Sequence, residues 1–379
     1  MQDVIVSAAE FQQRTILFKD VKSDSEAFVD TRLPGSTPKY NYTMIGSGVS
    51  ANPHTPINLR LPHGFNIGGA SMPNGITNNL HIHFTAEVFI TFAGHWRFRW
   101  GPKGEQGEYV SEEGDILTVP TWIFRGFTNA GPDDGFLFTT LGQDVTGGVI
   151  WNPHVMRAAR ETGLAMDLNS KLVDLKVNPL PDDQLLPLMS EEEITRLRPY
   201  TLEQMRRRVV KQSDLVWSDF PFLDCALPGG TKQLAPVIGY GLSEDRNTEP
   251  PVTNPHGFKH EWLRAAPGNG LHAHRHDDSQ VFIVQHGVWE VSVNQGSARM
   301  STRLGPRDIF SVPKGAWRSL SCVEAGPQGQ GQVLMVTGGD NRTRIEWAPE
   351  VVEAAARAGW RCDANGFAAP SAVVALAAC

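Results

Sequence analysis

The sequence predicts a mainly β protein built from two tandem copies of one domain, with short flanking helices. Short segments rich in β-branched and aromatic residues are each bounded by glycine, proline, aspartate or asparagine, as strands commonly are. The clearest of these segments are Val88–Phe92, Trp96–Trp100, Ile116–Pro120, Phe136–Leu141, Gln280–Val284, Trp289–Val293 and Gln332–Val336. The 37 glycines and 26 prolines favour many turns, and 379 residues are ample for two hydrophobic cores.

An internal duplication divides the chain into two related halves. The pair His81 and His83 recurs about 193 residues later as His274 and His276. Other matching segments are Gly75 with Gly268, Pro62–Phe65 with Pro255–Phe258, and Trp151–Pro153 with Trp347–Pro349. We therefore predict an N-terminal domain at 1–170, a helical linker at 171–215 and a C-terminal domain at 216–379.

Helix-capping signals predict where the short helices begin. Ser190 and Thr201 each start a capping box, with Glu193 and Gln204 three residues later. Pro153 is expected in the first turn of a helix that closes the first half, and its repeat partner Pro349 in the first turn of the helix that closes the second. A helical segment from about residue 190 to residue 211 is predicted to join the two domains.

Charge and hydropathy exclude several classes of function. The net charge of −7 and the pI near 5.9 argue against a nucleic-acid surface, because no Lys/Arg cluster is large enough to neutralise many phosphates. No apolar run reaches the length of a membrane span, and the N-terminus lacks the features of a signal peptide. We expect a cytoplasmic protein with neither nucleic-acid nor membrane partners. The four scattered cysteines are interpreted as reduced thiols: Cys225, Cys322, Cys362 and Cys379.

The best candidate for a metal site is the group His81, His83 and Glu87. Side chains alternate along a strand, so these three residues of equal parity are predicted to lie on the same face. Two neutral imidazoles and one carboxylate suit divalent iron, manganese, nickel or zinc, and they leave coordination positions open for a substrate. The alternative is a buried polar cluster that holds no metal.

The spacing around these residues resembles a known family. The first signature motif of the cupin superfamily runs Gly, five residues, His-x-His, three residues, Glu, six residues, Gly. The stretch from Gly75 to Gly94 has every element of that motif in place. The resemblance implies two tandem cupin barrels of the double-stranded β-helix, or jelly-roll, type, which together make a bicupin. It also implies that His81, His83 and Glu87 hold a metal.

The second cupin motif is present with two departures. Gly114, Pro120 and Asn129 match the pattern, but Trp122 stands where a glycine is usual. Arg125 stands where the family has a histidine as its fourth metal ligand. A guanidinium stays protonated and has no lone pair to donate, so Arg125 is not a ligand. The first site is then expected to be a 2-His-1-carboxylate centre.

The second half of the chain carries a degenerate version of the site. His274 and His276 are retained, but Gln280 replaces the glutamate and Arg318 replaces the motif-two histidine. Glutamine is neutral and a weaker ligand than glutamate. We therefore expect the second site to be free of metal or to bind metal weakly.

The paired replacements Arg125 and Arg318 have two interpretations. Each arginine either points to solvent or pairs with a neighbouring carboxylate, as is ordinary for an arginine after a strand. Alternatively, each guanidinium projects into the barrel mouth and binds a substrate carboxylate or enolate oxygen beside the metal. On the second interpretation Arg125 is a catalytic and substrate-binding residue, and Arg318 is its substrate-binding counterpart.

The leading functional hypothesis is a metal-dependent enzyme. Bicupins of this length resemble ring-cleaving dioxygenases of the gentisate type, which implies a mononuclear non-haem iron oxygenase acting on a small anionic aromatic or keto acid. Those enzymes are similar in using three histidines, and here the third is Arg125. Fe(II) is the expected cofactor, with manganese, nickel or zinc as alternatives.

Two other classes of function remain open. One is a redox-neutral, metal-dependent decarboxylase or isomerase, as a resemblance to bicupins of the oxalate-decarboxylase type implies. The other is a non-catalytic bicupin that binds a small molecule and retains its histidines as remnants. In each case the expected partner is a small anionic molecule, and the chain is expected to be a monomer or a homo-oligomer.

Overall fold

The computed structural model describes residues 3–376, with the side chain of the last of these excepted, and divides them into two compact units. One unit contains residues 21–214, and the other contains residues 3–20 together with residues 215–376. Both units are mainly β, with few short helices, as predicted. Cys379 lies outside the described residues. No helix within residues 3–376 is long and apolar enough to cross a membrane.

The boundaries of the two units correct the predicted domains. Residues 3–20 belong with the C-terminal barrel, because Thr15–Ile16 pairs antiparallel with the strand Ile309–Val312. The side-chain amide of Asn294 also bonds both the N–H and the carbonyl of Val6, each at 2.9 Å. Residues 171–214 belong with the N-terminal barrel, where Val209–Val210 pairs with Ile116–Val119. The segment predicted as a linker is therefore part of the first unit.

The N-terminal barrel contains two sheets. The larger sheet has strands in the spatial order Val209–Val210, Ile116–Val119, Glu87–Ala93, Gly135–Gly142, Phe65–Met72, Tyr40–Ile45 and Ser23–Asp24, with Ile57–Leu59 beside Tyr40–Ile45. The smaller sheet has the order Val149–Trp151, Thr77–His83, Arg125–Asn129, Trp96–Trp100 and Gly107–Ser111. A two-stranded ribbon consists of Leu164–Met166 and Leu172–Asp174. All these pairings are antiparallel except that of Ile57–Leu59.

The C-terminal barrel repeats this plan. Its larger sheet has the order Thr15–Ile16, Ile309–Val312, Gln280–His286, Gly331–Gly338, Phe258–Ala265 and Gln233–Ile238. Its smaller sheet has the order Met300–Leu304, Val288–Val293, Arg318–Glu324, Gly270–Arg275 and Glu346–Trp347. A ribbon consists of Trp360–Cys362 and Ala368–Pro370. The duplication seen in the sequence is thus a duplication of the barrel.

Aromatic side chains join the two sheets of the first barrel. Phe89 of the larger sheet packs against Phe98 and Phe127 of the smaller sheet, with ring centroids 4.8 and 5.2 Å apart. All three side chains are buried, and along Trp96–Trp100 the buried residues alternate with more exposed ones. Burying one such side chain contributes roughly 1.5–3 kcal/mol to folding. These contacts hold the two sheets together, and Phe127 also lies beside the polar residues that line the cavity of this barrel.

The helices are short and begin where the capping signals predict. The α-helices are Ala8–Arg14, Pro153–Thr162, Glu191–Thr195, Leu202–Arg206, Pro349–Arg357 and Ser371–Leu376. The 3₁₀ helices are Phe18–Asp20, Val29–Arg32, Asp182–Gln184, Gln212–Asp214, Leu223–Ala226, Gly296–Ala298 and Pro327–Gly329. Both predicted capping boxes form. The helical segment predicted for residues 190–211 is wrong as a single element, because Pro199 disfavours helix in the residue before it.

Two buried glutamates of the C-terminal barrel couple its stability to pH. Burial raises the pKa of Glu244 and of Glu261 to about 7. Both carboxyls are therefore protonated in the folded chain at pH values where they ionise in the unfolded chain. Their contribution to stability is complete below the ordinary glutamate pKa, near 4.5, and is lost as the pH rises through about 7.

Urea unfolding of the C-terminal barrel is expected to show this loss. The urea concentration at the unfolding midpoint should decrease as the pH is raised from 5 to 8, because the two carboxyls must then ionise inside the fold. Glu244→Ala is the matched variant, since the first barrel has Ala51 at the equivalent position. The variant should be less stable at pH 5, where the Trp347 indole loses its 2.9 Å acceptor, but its midpoint should change less with pH. If the urea midpoint of Glu244→Ala changes with pH as much as that of the wild type, Glu244 is not the titrating group.

Candidate metal centre

The predicted ligand residues lie together in the N-terminal barrel. His81 and His83 are on the strand Thr77–His83, and Glu87 is the first residue of the next strand, Glu87–Ala93. One ligand atom from each of the three side chains lies within 4.8 Å of the other two. All three side chains are buried. Within residues 3–376 this is the one group of at least three His, Cys, Asp or Glu residues with such a geometry.

Two glycines flank the pair of strands that carry these residues. Gly75 has φ +81° and Gly94 has φ +84°, a conformation that glycine adopts without strain. A Cβ on Gly94 would also lie 2.9 Å from the Cα of Gly135 on the neighbouring strand. The glycines of the motif therefore allow the turn before the first of these strands and the turn after the second.

Hydrogen bonds orient both imidazoles with the same nitrogen toward the group. His81 Nδ1 lies 2.6 Å from the carbonyl of Asn79, and His83 Nδ1 lies 3.4 Å from the carbonyl of Gly148. A carbonyl only accepts, so we assign the proton to Nδ1 in both rings and the lone pair to Nε2. His83 Nε2 is buried, lies 3.3 Å from Glu87 Oε2 and has no hydrogen-bond partner among the described residues. It is therefore available to a metal ion.

Electrostatics give the three residues the protonation states that metal binding requires. Burial lowers the pKa of His81 well below 6.5, and the charge of Arg125 lowers it further. Burial also lowers the pKa of His83. For Glu87, burial alone would raise the pKa, but His83 and Arg125 lower it to about 2. Near neutral pH the group is two neutral imidazoles and one carboxylate, which are all in their metal-binding forms.

Arg125 holds the carboxylate of Glu87 in place. Its Nε donates a hydrogen bond to Glu87 Oε2 at 3.0 Å, and its Nη1 donates to the carbonyl of Ile123 at 3.0 Å. Arg125 is buried, which excludes the interpretation that it points to solvent. It pairs with a neighbouring carboxylate, and that carboxylate belongs to the candidate metal site. Its position opposite His81 on the adjacent strand explains the contact.

The three residues line a cavity of about 40 Å³ between the two sheets. This volume corresponds to a few water molecules. The other lining residues are Phe28, Lys39, Tyr40, Asn41, Val49, Gly69, Ala70, Met72, Asn78, Phe127, Thr139, Val149 and Trp151. Arg125 is not among them. Lys39, Asn78 and Trp151 were not predicted as site residues, although the recurrence of Trp151 as Trp347 marked it as part of the repeated framework.

Comparison with solved structures identifies the fold. The oxalate decarboxylase of Lactobacillus farciminis, in a formate complex, superposes with a TM-score of 0.52 at 13% identity, over 90% of each chain. The Momordica charantia 7S globulin superposes with a TM-score of 0.51 at 11% identity, over 88% of this chain and 86% of its own. Both of these proteins are bicupins. This chain has the bicupin fold.

Other comparisons agree with that assignment. Bacillus subtilis oxalate decarboxylase at pH 4.6 superposes with a TM-score of 0.50 at 12% identity, over 92% of this chain and 79% of that one. No protein-family model matches the sequence, and no curated protein matches it. Because the bicupin neighbours include both enzymes and seed globulins at low identity, they establish the fold but not the activity.

The departures from the second cupin motif have structural explanations in this fold. Trp122 has φ +62°, the left-handed conformation that explains why a glycine is usual at this position. The equivalent residue of the second barrel, Gly315, has φ +78°. Trp122 is largely exposed, and its ring contacts Phe84 edge-on at 5.2 Å. This aromatic contact accompanies a backbone conformation that is unfavourable for tryptophan.

In the second barrel, an arginine lies at the centre of the equivalent site. His274, His276 and Gln280 are all buried, as their counterparts are. Arg318 Nη1 lies 3.0 Å from His276 Nε2 and 3.3 Å from Gln280 Oε1. Burial lowers the pKa of His276 well below 6.5, and the charge of Arg318 lowers it further, so the ring is a neutral acceptor. The guanidinium therefore lies where these two side chains converge.

The two arginines thus differ in what they contact. Arg125 bonds Glu87 and leaves His83 Nε2 without a hydrogen bond, whereas Arg318 bonds both His276 and Gln280. Arg318 is also anchored by the carbonyls of Pro313 and Ala316 at 3.1 and 3.0 Å. The exchange of Glu87 for Gln280 accounts for the difference. A neutral amide cannot form the ion pair that holds the guanidinium of Arg125 against Glu87.

Proposed function

We propose that this bicupin is a mononuclear metal enzyme that acts on a small anionic carboxylic acid, with its metal at His81, His83 and Glu87. The observation that carries the proposal is the convergence of three ligand atoms, within 4.8 Å of one another, beside a cavity. Two neutral imidazoles and one carboxylate on one side of a metal leave the other positions open for substrate. A 2-His-1-carboxylate set is typical of non-haem Fe(II) oxygenases, so Fe(II) is the proposed metal.

The donor set fits a divalent metal in two further respects. The orphaned and buried His83 Nε2 would gain a partner, and the negative charge of Glu87 would offset part of the charge of the ion. When bound, the metal would polarise a substrate oxygen as a Lewis acid and supply redox chemistry. The protein residues hold the donors in place: Asn79 orients His81, and Arg125 keeps Glu87 ionised and fixed.

The leading reaction is oxygenation of a small keto or aromatic acid, as proposed from the motif. A redox-neutral decarboxylase is the second candidate, and the size of the cavity favours it. A volume of about 40 Å³ suits a substrate of few heavy atoms better than an aromatic ring. Because two oxalate decarboxylases share the fold, oxalate is the first compound to test.

The experiment is a reaction screen on protein loaded separately with Fe(II), Mn(II), Ni(II) or Zn(II). Oxalate, short keto acids and hydroxybenzoates are supplied while dissolved oxygen and released CO₂ are recorded together. Oxygen consumed in proportion to product supports the oxygenase, whereas CO₂ released without net oxygen consumption supports the decarboxylase. We expect turnover to be lost in His83→Ala. Stoichiometric metal without turnover of any of these acids would contradict the enzyme and favour a binding protein.

A further inference from the structure

A buried ion pair is duplicated in the two barrels. Lys39 pairs with Asp30 in the first barrel, and Lys232 pairs with Asp224 in the second, where Nζ and Oδ1 are 2.6 Å apart. All four side chains are buried. Each aspartate also accepts a backbone N–H from the strand that carries the histidines: Asn79 donates to Asp30 at 3.0 Å and His272 to Asp224 at 2.9 Å. The pair is therefore part of the framework that both barrels share.

The second acceptor of the lysine differs between the barrels. Lys39 Nζ donates to the side-chain Oδ1 of Asn78 at 2.9 Å, whereas Lys232 Nζ donates to the backbone carbonyl of Gly230 at 2.6 Å. The residue equivalent to Asn78 is Leu271, which cannot accept a hydrogen bond. In the first barrel the Lys39 ammonium thus bonds a side chain of Thr77–His83, the strand that carries the two histidines.

Both Lys39 and Asn78 line the cavity that contains the candidate metal ligands. Lys39 is the only lysine or arginine among the residues that line it. Burial lowers the pKa of Lys39, and the neighbouring Asp30 carboxylate opposes that shift. The ammonium also lies 5.5 Å from the centre of the Phe28 ring and 6.0 Å from a Trp151 ring. Lysine has three N–H donors, and its hydrogen bonds to described residues use two of them.

We propose that Lys39, held by Asp30 and Asn78, is the residue that binds a carboxylate of the substrate beside the metal. This inference rests on the proposed function and replaces Arg125 with Lys39 as the substrate-binding cation. The charge of Lys39 is balanced by Asp30 and that of Glu87 by Arg125, so a divalent ion bound in the cavity would add an excess of positive charge. A short acid with oxygen atoms at both ends fits this arrangement, with one end at the metal and the other at the ammonium.

Two variants of the first barrel test the role of Lys39. Asn78→Leu installs the residue of the second barrel, where the ion pair forms without an asparagine. Asp30→Asn with Lys39→Met removes both charges together and leaves no unpaired buried ion. The matched control is Asp224→Asn with Lys232→Met, which makes the same change in the other barrel. Circular dichroism and metal content are measured for each protein.

Oxalate is the probe, titrated calorimetrically into each protein with and without bound Mn(II). We expect the Asp30/Lys39 variant to bind oxalate at least tenfold more weakly than the wild type, Asn78→Leu to show a smaller loss, and the control to match the wild type. Metal content should be unchanged in all of them. The inference would be overturned by a folded Asp30/Lys39 double variant that binds oxalate as tightly as the wild type does. An equal loss of oxalate affinity in the control would overturn it too.

The two proposals fail in distinguishable ways. Wild-type protein that retains no metal would contradict the metal enzyme, while the metal-free titration would still report on Lys39. Wild-type protein that binds metal but no oxalate in either state would overturn the Lys39 subsite and leave the metal centre standing.

Discussion

Replacing His81 and His83 together by alanine is expected to lower bound metal from about one equivalent per chain to a small fraction of that value. The change removes two of three ligands and leaves Glu87 paired only with Arg125, which is 3.0 Å away. A single carboxylate engaged by a guanidinium is a poor site for Fe(II) or any competing divalent ion. Elemental analysis of protein expressed with iron, manganese, nickel and zinc all available measures the loss.

The matched control changes the equivalent residues of the second barrel. His274→Ala with His276→Ala should leave the metal content nearly unchanged, because Arg318 already occupies the space between His276 and Gln280. Equal losses from both double variants would contradict our ranking of the two sites. No metal in the wild type under these conditions would contradict the proposed centre itself.

Restoring the missing ligands of the second barrel is expected to raise the metal content from about one equivalent to about two. Gln280→Glu supplies an anionic donor, and Arg318→His removes the cation and adds an imidazole. His274 and His276 are already buried, and His274 Nε2 has no hydrogen-bond partner among the described residues. Elemental analysis gives the stoichiometry, and the absorption spectrum of the cobalt-loaded protein gives the number of sites.

The two single substitutions separate the effect of the missing carboxylate at position 280 from the effect of the guanidinium at position 318. Gln280→Glu alone should create the carboxylate–guanidinium pair seen between Glu87 and Arg125, and Arg318→His alone should create a site without an anionic ligand. A folded double variant that still binds one equivalent would show that the second barrel lacks metal for a reason other than Arg318 and Gln280.

Sequence alone predicted the fold and the candidate ligands because both depend on local patterns. The strand Trp96–Trp100 was predicted with its observed bounds, since aromatic residues alternate along it and glycines flank it. His81 and His83 share a face because side chains alternate along their strand, and the short segment 84–86 carries the chain to Glu87, the first residue of a strand in the larger sheet. Parity along a single strand, on which the prediction for Glu87 rested, applies only to the two histidines. The duplication then extended the same argument to the second barrel.

The remaining features depend on contacts that a local pattern does not encode. The two-residue strand Thr15–Ile16 has too few residues for a periodicity and finds its partner far along the chain. Arg125 was placed correctly in the motif, but the direction of a long side chain is set by its acceptors, here Glu87 and Ile123. Lys39 lies outside both motifs, so only the cavity related it to the metal ligands.

The strand contributed by residues 15–16 also imposes an order on the synthesis of the molecule. The unit formed by residues 21–214 is complete before the ribosome has made any later residue, so it can fold while the chain is still growing. The other unit combines residues 3–20 with residues 215–376, and Val6 bonds Asn294 across 288 positions. Loop-closure entropy rises only slowly with length, so this distance is thermodynamically acceptable. Residues 6 and 15–16 can therefore take their places only after residues 294 and 309–310 have been made.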